Sequence, residues 1–335
     1  MQCSSISGFV FAIAPAATAL LAMALSAQTP AASVNESFEG QPAATLSNGK
    51  IELTVLKQGS TIAGIVLIND PDKLSPLWNP MRMSREQGRT ASFNPGMGHF
   101  VCVDGFGSAS PEERTAGMPG HGEAHLQNFE VRTSVDHGMA TLTMSAKLPL
   151  VQENFTRTYR IRDGESVVYV ESELENLLSF DRPVNWAEHA TVGSPWLESA
   201  VTVVDVSGSR SQTRPWSANE TNGAPLQLRL PSGQNFTWPM APRMDGGTVD
   251  MRQTPESPHY RDHTATLLDP ARTLEWVTAL NPKRRQILGY IFRRADYPWL
   301  QSWGDYPPSG KMARGENRQK YLHELAPKPM SDNRV

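Results

Sequence analysis

The chain has 335 residues, a formal net charge of -3 and 39% hydrophobic residues, enough length to build a large core without covalent staples. The near-balanced charge, with a pI near 6.3, argues against a nucleic-acid partner, because a phosphate-binding surface needs concentrated Lys and Arg. Of the two cysteines, Cys3 lies ahead of an N-terminal apolar run and Cys102 stands alone beyond it, which excludes a disulfide within a processed chain.

The first segment in chain order is FVFAIAPAATALLAMAL over residues 9–25, uncharged and broken by Pro15. A membrane-spanning helix needs roughly 20 apolar residues, so this short run, followed by Ala24-Leu25-Ser26-Ala27, reads as a secretory signal over residues 1–27. No Lys or Arg precedes it, and an uncleaved anchor is the competing reading. The expectation is an exported protein, periplasmic or extracellular, without stable membrane insertion after cleavage. Residues 28–43 read as a flexible segment and residues 44–335 as one folded domain.

Short alternating runs bounded by turn residues then follow one another, and amphipathic helical patterns of several turns do not appear. Ile51-Glu52-Leu53-Thr54-Val55-Leu56 and the run over residues 62–68 predict an opening hairpin. Runs at 129–133 and 140–144 flank Asp136-His137-Gly138, and runs at 155–161 and 166–172 flank Asp163-Gly164, a hairpin signal. Further strands are predicted at 200–206, 226–230, 264–268, 274–280 and 287–293. Lys283-Arg284-Arg285, the densest basic cluster, reads as a solvated turn between the last two. So many short strands predict an all-β fold, a large antiparallel β-sandwich. Residues 70–128 and 207–263 read as long irregular connections, where binding sites concentrate.

Two segments carry the chemistry-bearing residues. One runs from Gly98-His99-Phe100 through Gly117-Met118-Pro119-Gly120-His121-Gly122-Glu123-Ala124-His125, where glycines let side chains approach a ligand. The other is Asn185-Trp186-Ala187-Glu188-His189-Ala190. In an extended chain His121, Glu123 and His125 would share one face, the spacing of a zinc trio, but the local glycines argue against a straight strand and no metal is expected. Of the eight tryptophans, Trp186 lies three residues from His189, and Trp299 and Trp303 precede Glu316; all three offer flat apolar surfaces of the kind that pack on sugar C–H faces.

On these residues the chain resembles the galactose mutarotase-like, or aldose 1-epimerase, family. The opening Leu46-Ser47-Asn48-Gly49-Lys50-Ile51-Glu52-Leu53, the His121-Gly122 pair and Glu175-Asn176 followed by His189 carry the resemblance, which extends over most of residues 44–300. It implies a supersandwich fold, a sugar or glycan ligand, no cofactor, and interconversion of sugar anomers by acid/base ring opening. One group removes the anomeric hydroxyl proton while another protonates the ring oxygen, and an imidazole suits the acid. The resemblance implies His189 as acid, His121 on the ring-oxygen side or at a neighbouring hydroxyl, and a C-terminal glutamate as base. Glu316 is the match for that base, with Asp305 as rival carboxylate. Glu123, His125, Trp186, Trp303 and Asp305 are the expected substrate contacts. A non-catalytic carbohydrate-binding protein on the same scaffold is the alternative. A polysaccharide lyase or a hydrolase, the latter needing two carboxylates at defined separation, is a third. Oligomeric state is left open.

Overall fold

Apolar and polar residues alternate through β7 (Met139–Leu148) and β8 (Glu153–Arg162), and burial follows the same period of two. One face of this hairpin must therefore be covered by a second layer. The computed structural model describes residues 29–215, 229–254, 260–306 and 320–326, with 260, 261, 305, 306 and 320–326 as backbone strand positions.

The covering layer is a 13-stranded sheet. Its spatial order is β1 (Ala31–Phe38), β2 (Gln41–Ser47), β3 (Ile51–Leu56), β4 (Ile62–Leu67), β5 (His99–Val103), β10 (Trp186–Gly193), β20 (Lys320–Ala326), β19 (Trp299–Tyr306), β16 (Tyr260–Leu268), β12 (Gly208–Thr213), β13 (Asn235–Thr237), β14 (Met240–Pro242) and β15 (Thr248–Asp250). The facing layer is split. One part is β6 (Glu130–Asp136), β7, β8 and β9 (Val168–Asn176); the other is β11 (Val203–Val206), β17 (Leu274–Asn281) and β18 (Gln286–Arg293).

Each part closes its own core. Leu46, Leu53, Val55, Val101 and Val103 of the large sheet meet Leu142, Met144, Phe155, Tyr159 and Ile161 of the four-stranded one. Val192, Leu268 and Leu300 meet Val204, Val206, Val277 and Ala279 of the three-stranded one. Leu288 of β18 packs against both cores. Burying one such Leu or Phe is worth roughly 1.5–3 kcal/mol relative to leaving it exposed.

The turn signals perform as their chemistry demands. Asp136 pairs with Met139 across His137 (φ 47°) and Gly138 (φ 72°), the two left-handed residues of a primed hairpin turn. The basic turn is solvated: Arg284 reaches Asp72 at 3.0 Å, and Lys283 bonds Glu198.

Three expectations need correction. Residues 28–43 are not a flexible tail, since β1 and β2 pair over most of that span and close the edge of the large sheet. The expected strand at 226–230 is absent over its described part: Arg229 and Leu230 lie outside strands, and Arg229 turns to Asp262 at 2.8 Å. The stretch 207–263 is not irregular throughout, because β12 to β15 and the start of β16 fall inside it. The expected signal segment and residues 226–228 lie outside the described residues.

Candidate functional site

Strand β10 sits near the centre of the large sheet, between β5 and β20. Successive residues of a strand point to opposite faces. Trp186, Glu188 and Val192 therefore face the second layer, whereas Ala187, His189 and Thr191 face outward.

The outer face is covered by chain rather than by solvent. Residues 76–79 run against the end of β10, with Trp78 donating its N–H to the Thr191 carbonyl at 2.8 Å. Gly193 permits this approach, because a Cβ there would lie 2.6 Å from the Trp78 Cα. Helix α1 (Pro80–Glu86) follows, started by the Asn79 side chain accepting from the Arg82 N–H at 2.9 Å.

On this face the register aligns His189 with Phe100 of β5, and the two rings are tilted together at 4.1 Å between centroids. The loop carrying His121 is pinned by a bridge between Val103 and Gly122. Gly122 has φ 74°, and a Cβ on it would lie 1.9 Å from the Val103 carbonyl oxygen, so only glycine fits. His121 itself takes φ 66°, a left-handed backbone that costs a β-carbon residue on the order of 1–2 kcal/mol. That geometry brings its ring 4.9 Å from His189, edge to face, and its Nδ1 3.3 Å from the Cys102 Sγ. His125 completes the group, 5.3 Å from Phe100 and 6.4 Å from His121. Burial pushes the His125 imidazole down to about 4, so it stays neutral at physiological pH and serves as a hydrogen-bonding group rather than an acid.

The three predicted histidines thus come together. The other predicted contacts are placed as follows. Glu123 turns away from them, and its carboxylate accepts the backbone N–H groups of Leu150 and Val151 at 2.8 and 3.1 Å and the Gln127 amide at 3.0 Å. It anchors the β7–β8 loop instead of a ligand, and the zinc-spaced trio does not assemble. Among the described residues no group of three or more His, Cys, Asp or Glu has metal-binding geometry. Trp186 faces inward and packs edge-on against Phe155 at 5.4 Å, so it belongs to the core. Trp303 lies on the outer face and stacks on His263 with centroids 6.1 Å apart. Asp305 pairs in register with Arg261 and Lys320. It stands four residues along β19 from Gln301, roughly 13 Å at a strand rise of about 3.3 Å per residue. Glu316 lies outside the described residues.

A carboxylate position absent from the expectations lies in the same cross-strand row as His189. The direct register partner of His189 on β20 is Glu324, whose own partner on β19 is Gln301. The row therefore reads Phe100, His189, Glu324, Gln301, Ala265 and Gln212 from β5 to β12. The run Lys320-Tyr321-Leu322-His323-Glu324-Leu325-Ala326 alternates weakly, and only the pairing of β20 between β10 and β19 singles out its glutamate.

The inner face of the same strands holds a second constellation. The Glu188 carboxylate receives Arg157 of β8 through two bonds of 3.1 and 2.8 Å and His99 Nε2 at 2.8 Å. The Tyr297 hydroxyl adds a contact at 3.4 Å. Burial alone would raise the Glu188 carboxyl, but Arg157 and His99 outweigh it and hold it down to about 2. This ion cluster ties both layers together directly behind His189.

A further buried carboxylate behaves oppositely. Glu153 and Asp104 share the single Arg182 guanidinium. Burial and the neighbouring Asp104 charge push the Glu153 carboxyl up to about 7.

No family model matches the sequence, and no curated protein matches it either. Solved structures do. A proposed aldose 1-epimerase from Klebsiella pneumoniae subsp. pneumoniae aligns over 90% of this chain and 75% of its own, at 12% identity and a TM-score of 0.60. A proposed mutarotase from Salmonella typhimurium aligns over 89% and 86%, at 12% identity and a TM-score of 0.56. A galactose mutarotase related enzyme from Lactobacillus acidophilus aligns over 85% of each chain, at 12% identity and a TM-score of 0.54. At such identities the likeness establishes the fold: the chain has the galactose mutarotase-like fold, as the sequence resemblance implied.

Proposed function

We propose that the chain binds an aldose on the outer face of β5, β10, β20 and β19 and interconverts its anomers by acid/base ring opening. The observation that carries this reading is the cross-strand pairing of His189 with Glu324, with the His121 ring 4.9 Å from His189. In the proposed reaction the Glu324 carboxylate takes the proton of the anomeric hydroxyl. The C1–ring-oxygen bond breaks as His189 delivers a proton to the ring oxygen, leaving an open-chain aldehyde. Rotation about C1–C2 and the reverse proton transfers close the ring on the other face. Catalysis of this kind typically contributes 10²–10⁴-fold, roughly, per positioned acid or base. His121 and His125 would bind hydroxyls, and Trp303 offers a ring face to sugar C–H groups. The names of the structural neighbours, an aldose 1-epimerase and mutarotases, support the same substrate class.

Polarimetry across several aldoses tests it. The wild type should accelerate mutarotation, and His189→Asn and Glu324→Gln should each lower kcat by about 100-fold or more. Glu316→Gln and Asp305→Asn should leave it within about threefold. Sugar binding without rate enhancement in the wild type would make the protein a carbohydrate-binding module. Loss confined to Glu316→Gln would return the base to the position first expected. The N-terminal apolar run supports export, which N-terminal sequencing of the mature chain would test.

A further inference from the structure

Gln301 is completely buried, and its side-chain nitrogen has no hydrogen-bond partner among the described residues. Its oxygen is engaged: Oε1 lies 3.2 Å from His263 Nε2. The other ring nitrogen of His263 lies 3.1 Å from an Arg214 guanidinium nitrogen. Arg214 is held there by its backbone, whose N–H donates to the His263 carbonyl at 2.8 Å.

A guanidinium only donates. His263 Nδ1 must therefore accept, so the ring is neutral and carries its proton on Nε2. Nε2–H then donates, and the Gln301 atom facing it must be the amide oxygen. With Oε1 turned to His263 of β16, the two N–H donors of Gln301 are left on the side away from that ring. Flipping the amide would set N–H against N–H. The chain of bonds runs one way, from Arg214 through His263 to Gln301.

We propose that Arg214 and His263 are positioning residues that lock the direction of the Gln301 amide, so that Gln301 presents its two donors to a sugar oxygen beside Glu324. This rests on the sugar site proposed above. It also gives a use to a buried donor pair that would otherwise be desolvated without compensation.

Two measurements test it, and they fail independently. Histidine ¹⁵N spectra at neutral to mildly basic pH should show His263 as the neutral Nε2–H tautomer, with the bias lost in Arg214→Met and kept in Arg214→Lys. An Nδ1–H or protonated ring in the wild type overturns the relay whatever the protein binds. In sugar titrations, Gln301→Leu and His263→Phe, the latter keeping a ring against Trp303, should each weaken affinity by about tenfold, the worth of one hydrogen bond. The change should appear in KM with kcat nearly constant. The double variant should bind no worse than Gln301→Leu alone; additive losses would make His263 merely structural and sink the proposal. A wild type with the expected tautomer but no sugar affinity would refute the sugar site, and with it the role assigned to Gln301, while leaving the tautomer assignment intact.

Discussion

The two faces of the β5–β10 pair carry the same residue types for different ends. Inward, His99 and Glu188 are fixed with Arg157 in a charge-compensated cluster between the layers. Outward, His189 meets Phe100 and His121, and His125 joins the group against Phe100, rings against rings. The inward imidazole of His99 is paired to a buried carboxylate, whereas the outward histidines pack against one another and against the face of Phe100. Glu188 and Glu153 repeat the lesson for carboxylates. One has a guanidinium and an imidazole to itself and is held at about 2; the other shares its guanidinium with Asp104 and is pushed to about 7.

The contrast can be broken hardest from the inside. Arg157→Met leaves Glu188 buried without its main partner and should cost about 3–5 kcal/mol in chemical denaturation. The double variant Arg157→Met/Glu188→Met should recover much of that loss. If it does not, the cluster does more than compensate charge. On the outer face His189→Asn should change stability by less than about 1 kcal/mol while lowering the proposed mutarotation rate by about 100-fold or more.

His125 sharpens the comparison through pH. Its folded-state value of about 4 lies below the ordinary 6.5, so the unfolded chain binds the extra proton first. Stability that is complete above 6.5 should fall as pH drops toward 4, by at most about 3 kcal/mol. His125→Gln should flatten that part of the pH–stability curve. Next in size, Gly122→Ala should cost about 2 kcal/mol or more, because the new methyl meets the Val103 carbonyl and the residue must hold a positive φ. Thermal melts and the His121 ring resonances would show whether both move together.

The smallest effect has the opposite sign. Glu153 sits above its ordinary 4.5, at about 7, so its contribution is present below 4.5 and lost as pH rises through 7. Glu153→Gln should therefore melt at a more nearly constant temperature between about pH 5 and pH 8 than the wild type, a difference on the order of 1 kcal/mol.

Much of the sandwich was legible because its hairpins obey local rules. Asp-Gly and His-Gly turns and the period-two burial of β8 need no distant partner to be recognised. Strand β10 was not legible as a strand. Both its faces are covered, and it reads Trp-Ala-Glu-His-Ala-Thr, with buried polar groups whose partners come from β5, β8 and the outer loops. The histidines were legible by motif, yet their roles were not. His99 and His125 look alike in sequence, but strand pairing sends His99 inward to Glu188, and a short 3-10 turn over Ala124–Leu126 sets His125 beside Phe100. Glu123 and Trp186 were read as ligand contacts from proximity in sequence, whereas a tight turn and strand alternation carry them elsewhere. The Gln301–His263–Arg214 chain joins three segments that no spacing rule connects.

The adjacency of Glu188 and His189 has a consequence for how the chain finds its fold. A slip of β10 by a single residue would exchange its faces. It would bring the His189 imidazole against the Arg157 guanidinium and set the Glu188 carboxylate against Phe100 on the opposite face, losing every bond that now compensates it. Misregistered pairings of this strand are thereby penalised at two places at once. The polar residues at the centre of the sheet act as a proofreading mark for assembly before they can act on any ligand.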